Sequence, residues 1–130
     1  AIINGERKTG VTLFRMEDGV DDGDIISQKS FPIDDTDSIK EVYAKATENS
    51  KFILDEILGD IEEVKFMPQN KNKIKVFPQR SPSDGEIDMN LCAVDMYNFI
   101  RAQSSPYPGA YIKTKDGKKV IIEKVRIESL

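Results

Sequence analysis

Between Glu17 and Asp24 the chain places five carboxylates and two glycines in eight residues. Acids this dense in one loop invite a functional reading, as proton-transfer groups or as ligands for a hard cation. Register tests the calcium option. With Gly23 at the sixth place of a calcium loop, Asp18 and Asp22 fill the first and fifth. Val20 and Lys29 then fall at the third and twelfth, where oxygen ligands are required, so the match fails. A magnesium site on two of these acids has no phosphate-binding glycine loop beside it. The plain alternative is a solvated turn, with Asp18, Asp22 and Asp24 in water or bonded to turn backbone.

Other side chains could bind rather than react. Arg101 could fork onto phosphate oxygens, or pair with a nearby acid such as Asp88 or Asp95. Tyr107, between Pro106 and Pro108, could stack on a nucleobase or pack in a core. The single cysteine, Cys92, has no histidine in the chain to activate it and reads as a small buried hydrophobe. Lys71-Asn72-Lys73-Ile74-Lys75 is a short basic run of low specificity and reads as solvated.

Elements must position these groups. Thr9-Gly10-Val11-Thr12-Leu13-Phe14 is β-branched and aromatic, as a buried strand requires, and Ile25-Ile26 resumes strand character after the acidic loop. A dense start signal, Asp34 to Asp37, precedes Ser38 and Glu41, which have capping-box spacing: the hydroxyl takes the Glu41 N–H and the carboxylate reaches back. Ile39, Val42, Tyr43, Ala46, Ile53, Leu54, Ile57, Leu58 and Ile61 then recur at helical spacing as one buried stripe, with Gly59 as the stop. A short strand is expected at 73–77. Arg80 to Asn90 reads as loop, and Asn90 caps a helix from Leu91 to Gln103. Tyr111–Thr114 and Lys119–Ile127 make a hairpin across Asp116-Gly117.

Bulk properties set bounds. One domain fits in 130 residues, with 38% hydrophobic and 32% charged residues. A net charge of −4, from 19 basic and 23 acidic residues, argues against a nucleic-acid surface. One cysteine excludes an internal disulfide and fits a reducing cytosol, so the expected compartment is cytoplasmic. No apolar run approaches membrane-spanning length, and there is no metal-ligand Cys/His spacing.

Several motifs in order resemble the folate-dependent formyltransferases, which include methionyl-tRNA formyltransferase and the sugar-nucleotide N-formyltransferases. They are Asn4-Gly5-Glu6, Thr9-Gly10-Val11-Thr12, Met16 and Asp21-x-Gly23-Asp24-Ile25. Downstream come Pro78-x-Arg80-x-Pro82-x-Asp84-Gly85-x-Ile87-Asp88, Tyr97-Asn98-x-Ile100-Arg101-Ala102 and Pro106-Tyr107-Pro108-Gly109-Ala110. The Arg80 motif is more similar to the sugar-nucleotide branch than to the tRNA branch. Met89 stands where the tRNA branch carries Trp.

The resemblance implies an α/β fold: a partial mixed sheet from a Rossmann-like domain, two helices and a C-terminal hairpin opening a small β-rich module. It divides the chain into 1–103, the C-terminal portion of a catalytic domain, and 104–130, the start of that module. The implied reaction is formyl transfer from 10-formyltetrahydrofolate to an amine. That chemistry passes through a tetrahedral oxyanion and needs hydrogen-bond donors at that oxygen and a proton acceptor at the amine. The family uses an asparagine, a histidine and the aspartate of a Gly-x-Asp-x-Gly loop, which is Asp21 here. The chain has no histidine, so the resemblance implies a C-terminal piece whose folate-binding half lies elsewhere.

By the same resemblance Gly19, Val20, Asp21 and Asp24 contact the cofactor, and Arg80, Arg101 and Tyr107 contact the substrate. The expected acceptor is an amino sugar on a nucleotide, with initiator methionyl-tRNA second. No membrane partner is expected. A structural or homodimerisation module without activity is the competing class.

Overall fold

The computed structural model describes residues 1–70 and 76–129. Its elements are β1 (Lys8–Phe14), β2 (Ile25–Pro32), α1 (Ile39–Gly59), α2 (Ala93–Gln103), β3 (Ala110–Lys113) and β4 (Lys119–Ile122). Short 3-10 turns lie at Ile2–Asn4, Ile61–Glu63 and Pro82–Gly85. The α/β class is as the motifs imply. The strands described form two separate two-stranded sheets, β1-β2 and β3-β4. The chain divides into two compact units.

The first unit comprises Ala1–Lys8, Pro32–Tyr43 and Gln79–Leu130. Its core joins Ile87, Ile100 and Ala110, with Met96, Phe99, Ile112 and Ile122 packed around them. Ile100, at 2% exposure, is the largest fully buried side chain among the described residues. β3 and β4 pair antiparallel from Ala110↔Ile122 to Lys113↔Lys119. Gly117, with φ of 78°, supplies the left-handed residue of the connecting turn. β4 ends at Ile122, not Ile127. Its partner strand begins at Ala110, and Pro108 before it has no N–H with which to extend the ladder.

α1 begins at Ile39 as the capping signal predicts, but the hydroxyl works differently. The Glu41 carboxylate accepts from both the Ser38 N–H, at 2.9 Å, and the Ser38 hydroxyl. Ser38 Oγ accepts from the Lys40 N–H at 3.3 Å, not from Glu41. These bonds to the charged form hold the Glu41 carboxyl below its usual range, the Ser38 hydroxyl being the largest cause.

α2 starts two residues later than the expected Leu91. Asn90 is not its cap: its N–H and Nδ2 both donate to Asp88 Oδ1, at 2.9 and 2.8 Å, and this local turn holds Asn90 outside the helix. Cys92 occupies the N-cap position instead. It is exposed rather than buried, and its Sγ meets Asp95 Oδ2 at 3.1 Å.

The second unit comprises Thr9–Phe31 and Ala44–Pro78. Phe31 and Ile53 are buried within it, at 6% and 2% exposure. β1 alternates between half-buried and exposed positions instead of being buried throughout, because a two-stranded sheet covers one face. The α1 stripe is likewise only partly covered: Leu54, Leu58 and Ile61 are 45%, 68% and 64% exposed. The expected strand at 73–77 and the basic run Lys71–Lys75 lie wholly or largely outside the described residues.

The segment after Ile61–Glu63 returns along β2. Ile25 and Met67 form an antiparallel bridge and exchange both backbone hydrogen bonds, at 2.7 and 2.8 Å. In that register Gln69 falls opposite Gly23, at the acidic loop.

Candidate functional site

The acidic loop leaves β1 at Phe14 and re-enters the sheet at Ile25. Its neck is closed by the Arg15 N–H, which donates to the Asp24 carbonyl at 2.9 Å. The half-exposed Arg15 guanidinium meets two of the loop's acids. Its Nε donates to Glu17 Oε1 at 2.9 Å, and Nη2 stands 3.9 Å from Asp24 Oδ2. One cation thus balances two of the five acids and stacks its carbon over the Phe66 ring at 5.3 Å. Gly23 allows the closure: a Cβ there would collide with the Arg15 carbonyl oxygen.

At the tip, Val20 is 93% exposed and Asp21 is exposed. Asp21 has φ of 52°, the sole non-glycine among the described residues with positive φ. Aspartate tolerates this left-handed region better than most residues, and such positions concentrate at functional sites. Asp22 behaves differently, its carboxylate folding back onto Gly19 so that a Cβ at 19 would strike it. Neighbouring acids therefore have distinct environments: Glu17 and Asp24 face Arg15, Asp22 covers Gly19, and Asp21 stands in solvent.

Gln69 completes the loop, and sequence reasoning missed it. Its Nε2 donates to the carbonyls of Asp21 and Gly23 at 2.8 and 2.7 Å. A cleft of about 260 Å³ opens beside it, lined by Glu17, Asp22, Gly23, Asp24, Pro68 and Gln69. The second unit thus brings Gly19, Val20, Asp21 and Asp24 together on one pinned loop. Among the described residues no cluster of three or more His, Cys, Asp or Glu has metal-binding geometry.

Arg80, Arg101 and Tyr107 lie in the first unit, on three different sets of partners. Arg80 Nη2 donates to the Asp84 carbonyl at 2.9 Å, and its guanidinium lies 5.8 Å from the Phe99 ring centre. Asp84 also accepts from the Ser81 N–H and hydroxyl, which hold its carboxyl below the usual range.

Arg101 pairs with neither Asp88 nor Asp95. Its Nε donates to Asn98 Oδ1 at 2.9 Å, and Nη1 donates to the carbonyls of Asp34 and Asp37 at 3.0 and 2.7 Å. Asn98 and Asp37 are buried. Arg101 thereby ties the end of α2 to the loop that starts α1. Tyr107 is 46% exposed and so is not a core residue. Its hydroxyl hydrogen-bonds that of Tyr43, with ring centres 6.2 Å apart. That bond, with some burial, raises the Tyr43 hydroxyl above its usual pKa.

Residues 1–58 match the family model "Formyl transferase" and residues 79–130 match "Formyl transferase, C-terminal domain". The second match begins well before residue 104. The chain is 41% identical over 128 residues to the bifunctional polymyxin resistance protein ArnA of Wigglesworthia glossinidia brevipalpis. That alignment covers 97% of this chain and 19% of the relative, so the chain spans about one fifth of its length.

Among solved structures, HypX from Aquifex aeolicus in complex with tetrahydrofolic acid is similar at 26% identity and a TM-score of 0.77. The match covers 95% of this chain and 22% of HypX. An N-formyltransferase from Helicobacter canadensis, in complex with folinic acid and dTDP-3-aminofucose, is 25% identical with a TM-score of 0.70. There the match covers 77% of this chain and 38% of the other.

Proposed function

The chain belongs to the formyltransferase family, and on that premise we propose that it forms the acidic-loop portion of an enzyme that formylates a nucleotide-linked amino sugar. The observation that carries this is the Gly19–Gly23 loop. Asp21 sits at its exposed tip in a left-handed conformation while Arg15, Gly23 and Gln69 immobilise the base. A carboxylate held in this way can orient an imidazole and raise its pKa, so that the imidazole takes a proton from the attacking amine. The chain has no histidine, so that imidazole would come from outside these 130 residues.

The acceptor groups of the loop fit a folate. Carboxylates and backbone carbonyls are acceptors for the amino and N–H edge of a pterin, and the exposed Val20 side chain offers apolar surface to its ring. In this reading Gly19, Val20, Asp21 and Asp24 contact 10-formyltetrahydrofolate, which when bound supplies the formyl group. Its support is the likeness to proteins whose structures hold tetrahydrofolic or folinic acid. The nucleotide-sugar acceptor is supported by the likeness to the enzyme crystallised with dTDP-3-aminofucose. Arg80, Arg101 and Tyr107 are then assigned to contacts with the acceptor.

The test is a formylation assay on the full-length enzyme. It should convert a nucleotide-linked amino sugar in the presence of 10-formyltetrahydrofolate and leave initiator methionyl-tRNA unchanged. The reverse preference would overturn the acceptor. No transfer to any amine, together with a stable dimer, would favour a structural role.

A further inference from the structure

We propose that Gln69 is a positioning residue for the acidic loop, acting through Asp21. This rests on the reading of Asp21 given above. A side-chain amide nitrogen carries two donors, and both are used: one on the Asp21 carbonyl at 2.8 Å, one on the Gly23 carbonyl at 2.7 Å. Both are full-strength distances. Two carbonyls can be met only by the NH₂ end of the amide, so chemistry sets its orientation.

These carbonyls enclose Asp22 and Gly23, and the first is that of the left-handed Asp21 itself, φ 52°. One amide therefore fixes the peptide unit that leaves Asp21 and the one that leaves Gly23, and with the first of these the backbone that carries the Asp21 carboxylate. The hold is rigid because Gln69 is itself anchored. Met67, two residues earlier, is bridged to Ile25 by two backbone hydrogen bonds, and Pro68 between them has a locked φ. The clamp and the loop thus share one antiparallel register. Gln69 also lines the cleft beside the loop, so the contact lies at the edge of the space a ligand would enter.

Proton transfer is sensitive to the placement of the groups involved, and a displacement of about 1 Å can cost about 100-fold in rate. In the full-length enzyme, Gln69→Ala and Gln69→Glu, which removes the donors at constant size, should each lower kcat about 10- to 100-fold. The KM for the amine acceptor should hold within about twofold, and the thermal midpoint should barely move, because the clamp is peripheral to the core. In an Asp21→Asn background, Gln69→Ala should cause no further loss.

Equal fractional losses in both backgrounds, an effect on KM alone, or an unchanged kcat would overturn the role of Gln69 while leaving Asp21 in place. An Asp21→Asn enzyme with full activity would instead overturn the reading on which the proposal rests, and the proposal with it.

Discussion

Arg101 Nη1 lies 2.7 Å from the carbonyl oxygen of Asp37, a buried residue 64 positions earlier in the chain. With the Asp34 carbonyl at 3.0 Å, this makes the guanidinium a clasp on the turn that starts α1. Arg101→Ala should remove these tethers between α2 and the turn and destabilise the intact protein by about 1–3 kcal/mol, read by urea denaturation. Arg101→Lys should recover only part, because an ammonium cannot reproduce the fork. Full stability in Arg101→Ala would show that the guanidinium does not act as a clasp.

The Ser38–Glu41 cap gives a pH prediction. The folded carboxyl is depressed below its ordinary value of 4.5. Its contribution to stability is therefore present above that value and is lost as pH falls through the lower, folded pKa. Ser38→Ala should move the Glu41 titration back up toward 4.5, seen by NMR of the carboxyl carbon. A titration unchanged by Ser38→Ala would show that the hydroxyl does not set it.

The core predicts a conventional cost. Ile100, 2% exposed, is packed against Ile87 and Ala110. Ile100→Ala should destabilise the intact protein by about 2–5 kcal/mol in a denaturant titration. A loss well under 1 kcal/mol would mean that the neighbours close over the cavity.

Acceptor choice can be read from salt. A tRNA ligand makes many phosphate contacts, so its affinity should fall steeply with ionic strength. A nucleotide sugar presents only a diphosphate. The full-length enzyme should bind the nucleotide-linked amino sugar with a shallow salt slope, and Tyr107→Ala should weaken that binding. A steep slope for initiator tRNA, with no response to nucleotide sugars, would reverse the assignment.

What the sequence reveals and hides follows from locality. α1 is legible because its cap, its apolar spacing and Gly59 all lie within it, and the turn at Gly117 is legible because only a few residues define it. The start of α2 is not, because Asp88 competes for the backbone and side chain of Asn90 and shifts the cap to Cys92. The Gly-x-Asp-x-Gly loop announces Asp21, but nothing local announces Gln69. Its role arises from the pairing of Ile25 with Met67, and its acceptors are backbone carbonyls, which every residue carries. The partners of Arg101 are hidden for the same reason: charge pattern points to acids, and the structure supplies carbonyls and Asn98.

The most direct test of the account is kcat for formyl transfer in the full-length enzyme bearing Asp21→Asn, beside Asp22→Asn and Asp24→Asn. Asp21→Asn should fold normally and lose about 10²- to 10⁴-fold, the usual scale for acid–base assistance. Asp22→Asn and Asp24→Asn should lose far less, since one carboxylate covers Gly19 and the other faces Arg15. Three equal and mild losses would contradict the account and leave the loop a solvated turn.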